Sequence, residues 1–335
     1  VKSYKCLVCI IFFTIVPFCL FAKDFNKEKF SLCTDFNSSI QYGSLGEYVF
    51  DLDSSDNTFK KLSYLDWDLK PSTVLGLNFI GGYKNLYVSP YISFGIPGEC
   101  GKMQDSDWLD LNSVKNDYSI SINTLNKNIF TGIQLEYRIP LSTLFYFAPA
   151  ISFDYQYISF SAKDGYGWYG DSVHSTTGTN VSYDSEYAKQ YDVGELMGID
   201  YMRSTFYLWT GFSSELTVSK KISFGCMFFF SPYTQIYSLD KHFSDLQRNS
   251  YAAYNDIMEG YLSYFKFRMY LNYSFSSSCS LLLSVNELVG SSGIGITLYY
   301  SGNATSNSQP AKLSSKSKSD IDVPSVSLAF RICFF

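Results

Sequence analysis

Phe265-Lys266-Phe267-Arg268-Met269-Tyr270-Leu271-Asn272-Tyr273-Ser274 decides the fold class of this chain. Successive side chains of a strand point to opposite faces, so residues two apart share one. Phe265, Phe267, Met269, Leu271 and Tyr273 then form an apolar face, and Lys266, Arg268, Tyr270 and Asn272 a polar one. Basic side chains of this kind suit the water-filled lumen of a membrane barrel and are costly against lipid. The segment predicts a transmembrane β-strand.

The same alternation recurs on both sides of it. Further strands are expected over residues 37–50, 61–69, 73–81, 85–96, 124–138, 145–162, 203–217, 221–238, 281–289, 292–300 and 324–335. Gly81-Gly82, Pro97-Gly98, Pro140 and Gly290 read as turns between them. Two polar stretches interrupt the pattern, 164–190 and 301–320, and the second reads as a flexible insertion. Short turns alternating with long loops suit a barrel with two unlike ends. The chain ends Phe330-Arg331-Ile332-Cys333-Phe334-Phe335, an aromatic closing strand that resembles the signal read by the outer-membrane assembly machinery.

Composition agrees. Tyr and Phe number 29 each, most of a 19% aromatic fraction, as expected where aromatic girdles meet the membrane interfaces. A water-soluble sandwich accounts for only part of this pattern. Residues 1–22 read as a secretory signal: Lys2 and Lys5 precede the apolar run Cys6–Phe21, and Ala22 is small enough for cleavage. The remainder, 23–335, reads as one barrel domain. The net charge of −5 excludes a basic nucleic-acid surface, and acidic loops favour a cationic partner instead. Beyond the signal, Cys33, Cys100, Cys226, Cys279 and Cys333 lie far apart without a CxxC pair. Export permits disulfides, the spacing assigns none, and no structural zinc site is expected.

Two charged clusters lie more than a hundred residues apart, Asp105-Ser106-Asp107 and Asp240-Lys241-His242. On strands, each presents two polar side chains on one face. Together they supply three carboxylates and an imidazole. Neutral imidazole is a good general base near physiological pH, and Asp240 can fix its tautomer and stabilise its charged form. Asp105 and Asp107 can hold water, and two close carboxylates raise one another's pKa, so that one can carry a proton. Each pattern also has a plainer reading. Asp-x-Asp commonly caps loops or faces solvent, and Asp, His and Asp can bind a metal. His174, the other histidine, sits in a Gly/Ser/Thr-rich stretch and reads as a loop residue.

The wider context of these clusters resembles the omptins, outer-membrane proteases of Gram-negative bacteria. Leu65-Asp66-Trp67 is similar to the family's early LDW strand. Gly101-Lys102-Met103-Gln104-Asp105-Ser106-Asp107-Trp108-Leu109-Asp110 resembles its G-x-M-x-D-x-D-W-x-D segment, and Asp240-Lys241-His242 its D-x-H. The resemblance implies an all-β, antiparallel, ten-stranded transmembrane barrel with extended extracellular hairpins. It implies an endopeptidase groove outside the membrane, with the Asp240–His242 couple facing Asp105 and Asp107 and a monomeric enzyme that needs no cofactor.

The resemblance also implies a preference for cleavage beside basic residues of exposed polypeptides. Glu47 matches one acid of the pocket, Ser238 stands where the second is expected, Met103 would line the pocket, and Asp117 matches a groove residue on the leaving side. Loss of one carboxylate predicts a weaker and broader preference. The lipid-facing run Phe153-Asp154-Tyr155-Gln156-Tyr157 lacks the family's acidic and basic pattern for lipopolysaccharide phosphate, so dependence on that lipid is expected to be weak or absent. A non-enzymatic adhesin or binding barrel is the alternative, followed by a small channel.

Overall fold

The computed structural model describes residues 30–109, 114–170, 181–192, 198–243, 250–303, 311–312 and 315–334. The expected signal, 1–22, and His174 lie outside these residues.

In chain order the first strands are β1 (Phe30–Gln41), β2 (Ser44–Asp53), β3 (Thr58–Asp68), β4 (Ser72–Tyr83), β5 (Leu86–Gly95) and β6 (Gly98–Asp107). Next come β7 (Asp117–Tyr137), β8 (Ile139–Pro140), β9 (Phe145–Tyr169), β10 (Lys189–Asp192), β11 (Ile199–Thr217) and β12 (Ile222–Phe243). The last are β13 (Ser250–Gly260), β14 (Tyr264–Ser274), β15 (Cys279–Ser291), β16 (Ile296–Asn303), β17 (Ala311–Lys312) and β18 (Lys316–Cys333).

Antiparallel pairing closes a ring of ten strands among the described residues: β1, β4, β5, β7, β9, β11, β12, β14, β15 and β18, which pairs back on β1. Closure removes the sheet edges, which hydrocarbon would leave unsatisfied. A second ring is stacked on the first. There β2, β3, β6, β13 and β16 replace β1, β4, β5, β14 and β15, while β7, β9, β11, β12 and β18 run through both. Each replacement is a kink in one long strand. At the first, Gly43 lies where any side chain would strike the Asp322 carbonyl oxygen, and Tyr42 N–H donates to Pro324 O across the break. β16 reaches β18 through Gly295 N to Ser317 O, which completes the second ring.

The first ring carries an outward apolar band that includes Phe36, Leu75, Phe94, Phe153, Phe224 and Leu328, all exposed. On a closed barrel such a band suits burial in lipid. Inside the same ring are ion pairs, Lys266 Nζ–Asp154 Oδ2 at 2.8 Å and Arg331 Nε–Asp35 Oδ1 at 2.6 Å, around a polar cavity of about 400 Å³. The expected facing of 265–274 holds. Phe265, Phe267, Met269 and Tyr273 are exposed, while Lys266 bonds Asp154 and Tyr270 bonds Glu215 inside. Between cavity and second ring, Trp67, Tyr201, Phe160, Tyr207, Trp209 and Tyr264 fill the lumen, with Trp67 stacked on Tyr201 (5.2 Å) and Phe160 (5.6 Å).

Several expectations are corrected. Residues 37–50 form two strands around Gly43, and β6 and β13 lie where no strand is expected. Gly290 and Gly81-Gly82 sit inside β15 and β4 instead of at turns. A side chain at Gly290 would strike the Tyr264 ring, and one at Gly82 the Tyr87 ring, so both glycines make room for aromatics. Within the expected insertion 301–320, residues 301–303, 311–312 and 316–320 are strand, and 304–310 and 313–314 lie outside the described residues. Cys33 and Cys333, partners in the β1–β18 register, form a disulfide. Cys100 is buried, and Cys226 and Cys279 are half-buried.

Candidate active site

The second ring stands beyond the apolar band, and its strand order sets β6 and β12 on facing walls. Met103, Asp105 and Asp107 alternate along β6. Met103 pairs with Trp67 and Asp105 with Leu65, two buried residues, so this face of β6 looks inward. Buried Leu65 and Trp67 are thus the inward positions of the LDW strand.

β12 needs a device to turn Asp240 inward. In its first half the outward side chain is an even position, Phe224, and Phe229 is buried. Past Ser231-Pro232 the sense reverses: Thr234, Ile236, Ser238 and Asp240 are buried and Tyr237 is exposed. The register against β11 jumps there, from Thr210–Phe230 to Leu208–Tyr233, which is a β-bulge. A bulge inserts one residue and re-aims the side chains beyond it, and it tolerates proline because its N–H has no ladder partner. Ser231 Oγ secures it through Tyr233 O (2.7 Å) and Thr234 Oγ1 (2.8 Å).

His242 Nε2 lies 2.5 Å from Asp240 Oδ2. The Asp240 side chain is 4% exposed and that of His242 is 35%. A carboxylate only accepts, so Nε2 carries the hydrogen and Nδ1 is left for another partner. Tyr254 meets the imidazole edge-on at 5.5 Å between centroids. Opposite, Ser63 Oγ lies 3.5 Å from Asp105 Oδ1. The two walls feel each other's charge. Burial disfavours the imidazolium, but Asp240, then Asp105 and Asp107, outweigh it and push His242 up to about 9. Burial and then Asp107 hold Asp105 well above the usual carboxylate range, against the opposing pull of His242. The four predicted residues therefore form one electrostatic unit across the groove.

Beside them lies a cluster of buried acids. Glu47 is 1% exposed, and burial, then Asp256 and Asp240, hold it well above the usual range. Asp256, on β13, is 0% exposed and is also raised, first by burial, while its contact with Glu47 acts downward. Burial thus holds both carboxyl groups of the pair above their usual range. Ser238, in register with Asp256, donates from Oγ to its Oδ2 at 3.4 Å. Arg203 is buried beside them, its Nη1 bonded to Ser319 Oγ (2.9 Å) and Asp320 O (3.0 Å). Met103 is buried on the β6 side.

Asp117 pairs in register with Asp107, but its Oδ1 accepts from Gly170 N at 3.0 Å and ties β7 to the end of β9. Asp256 and Arg203 escaped the sequence reading. The signal for Asp256 is the run Ala252, Tyr254, Asp256, Met258, which alternates as a strand and aligns with His242, Asp240, Ser238 and Ile236 of β12. Among the described residues no three His, Cys, Asp or Glu side chains converge as a metal site would require.

Closed barrel, outward apolar band, plugged lumen and acidic groove define an integral outer-membrane β-barrel with a polar site beyond the membrane. The sequence profile of the Omptin family matches residues 31–316, and the chain belongs to that family. The fold is similar to that of the outer-membrane protease OmpT from Escherichia coli. The TM-score is 0.73 at 16% identity, over 91% of this chain and 97% of that one. OprG, an outer-membrane protein of Pseudomonas aeruginosa, gives a TM-score of 0.34 at 9% identity, over 91% and 96% of the two chains. No curated protein sequence matches the chain.

Proposed function

We propose that the chain is an outer-membrane endopeptidase that hydrolyses exposed polypeptides with water activated by Asp240 and His242. The observation that carries this reading is the Asp240–His242 contact of 2.5 Å, facing two carboxylates near enough to act on the imidazole. Water held by Asp105 and Asp107 attacks the peptide carbonyl carbon and gives its proton to His242 Nδ1. The tetrahedral intermediate then collapses, the C–N bond breaks, and the same proton passes to the leaving nitrogen. Asp240 orients the ring and stabilises its cationic form. Asp105, in its protonated form, is suited to donate to the developing oxyanion.

The groove opens at the end where β2–β3, β6–β7, β9–β11, β12–β13 and β16–β18 are joined, including the longest connections. Outer-membrane barrels carry longer loops outside, which supports an extracellular groove. The aromatic plug around Trp67 and Trp209 argues against a channel. On β9, Phe153, Tyr155 and Tyr157 face outward, while Asp154 turns inward to Lys266. The outward side chains of this run, Phe153, Tyr155 and Tyr157, offer no cation to a phosphate, which supports activity without lipopolysaccharide.

The test is cleavage of a mixed peptide library by the refolded protein, with and without lipopolysaccharide. His242→Ala and Asp105→Ala should each lower kcat by about 10²- to 10⁴-fold, with the barrel's heat-modifiable electrophoretic mobility retained. Full activity in either variant refutes the assignment, and peptide binding without turnover returns the adhesin reading.

A further inference from the structure

We propose that Asp256 of β13 supplies the second carboxylate of the specificity pocket, so that a Glu47–Asp256 pair receives the guanidinium or ammonium of a substrate side chain. This rests on the endopeptidase reading and deepens it. Ser238 on β12 is neutral, yet its cross-strand partner carries the acid. Cross-strand partners share a face and their Cβ atoms lie about 5 Å apart. A carboxylate moved from 238 to 256 therefore still projects into the same space, and Ser238 Oγ steadies it at 3.4 Å.

The pocket is built for a guest. Glu47 Oε2 and Asp256 Oδ1 are buried and accept no hydrogen bond among the described residues. An unsatisfied buried acceptor costs stability, and a ligand or a water that completes it accounts for its retention. Of the charged groups facing the pair, Asp240 on β12 adds a third carboxylate, already engaged with His242, and Arg203 on β11 supplies a cation. Arg203 spends Nη1 on Ser319 and Asp320 O, its buried Nε and Nη2 make no hydrogen bond among the described residues, and its pull on Glu47 is smaller than the influence of Asp256 or Asp240. Two carboxyl groups, Glu47 and Asp256, thus share the site with one resident cation. Met103 offers an apolar wall for the methylenes of a long basic side chain.

The experiment compares kcat/KM for matched peptides bearing Arg, Lys or Gln before the scissile bond. In the wild type Arg and Lys should be favoured, and in Asp256→Asn the Arg/Gln ratio should fall about tenfold or more, the worth of one charge-assisted hydrogen bond. The double variant Ser238→Asp/Asp256→Ser should restore the ratio by returning the acid to β12, and it also serves if Asp256→Asn fails to fold. An unchanged ratio in Asp256→Asn overturns the inference. So does a wild-type ratio near one that rises in Arg203→Gln, because the resident guanidinium would then fill the pair. If the wild type cleaves nothing, the endopeptidase reading fails alone, and calorimetry with acetyl-arginine amide and acetyl-glutamine amide decides the pocket. Selective arginine binding, weakened about tenfold by Asp256→Asn, sustains it, and equal or absent binding overturns it.

Discussion

Replacing Asp240 by Asn should move the titration of His242 by more than any other single change in the groove. Burial alone would depress the imidazole. Asp240 opposes this by charge and by its hydrogen bond, followed by Asp105 and Asp107, to leave a value of about 9 against 6.5. At 1.36 kcal/mol per unit the rise is worth roughly 3 kcal/mol. The ring is 35% exposed, and solvent screening reduces the sum to roughly half. Asp240→Asn should therefore lower the pKa by about one to two units, and Asp105→Asn by less. The chain has two histidines, so a His174→Gln background leaves one imidazole resonance to track by NMR in micelles from pH 5 to 10. The folded state holds this proton more tightly than the unfolded chain. Its contribution to stability is accordingly complete below pH 6.5 and is lost as pH rises toward about 9. If neutral imidazole is the base, kcat/KM should climb over the same interval and climb earlier in Asp240→Asn, although to a lower plateau. A wild-type midpoint at or below 6.5, or one indifferent to Asp240, would refute the coupled-groove account.

The scaffold sets three further outcomes. Lys266→Met leaves the fully buried Asp154 carboxylate unpaired and should cost about 3–5 kcal/mol in urea unfolding, much of it recovered by adding Asp154→Leu. Cys33→Ser or Cys333→Ser opens a bridge spanning 300 residues of sequence, worth at most about 6 kcal/mol by loop closure. Because β1 and β18 remain hydrogen-bonded along their length, the barrel should still fold but unfold earlier in denaturant. Deleting Pro232 removes the β12 bulge and turns Thr234, Ile236, Ser238, Asp240 and His242 outward, so cleavage should vanish while lipid-inserted barrel is still recovered; retained cleavage would show that the bulge does not aim the site.

Much of the fold was legible because lipid imposes a strict code on strands that cross it. Phe265 to Ser274 could be read residue by residue, since a base on the outer face is prohibitive and a base on the inner face finds Asp154. The code weakens in the second ring, where both faces meet protein or water. There β6 carries too few apolar residues to alternate visibly, adjacent apolar pairs in β13 (Ala252-Ala253 and Ile257-Met258) blur its alternation, and the break at Gly43 leaves the sequence signal of a single strand. Glycine misled for a related reason. In a soluble hairpin Gly290 would mark a turn, whereas here the ring of Tyr264 occupies the space its side chain would need.

The catalytic candidates were legible for a different reason: each pair needs only its own strand to share a face, and the long motifs fixed which strands. The pocket was not, because its second acid depends on pairing between strands. Ser238 read alone signals a lost charge and a relaxed preference. Read with the register of β12 against β13, it signals a charge relocated by one strand at the same height in the groove. Substrate selection is a property of the space between side chains, and the barrel can fill that space from either neighbour. The wall that supplies the carboxylate can therefore change while the groove keeps its chemistry, which a position-by-position reading of one strand records as a loss.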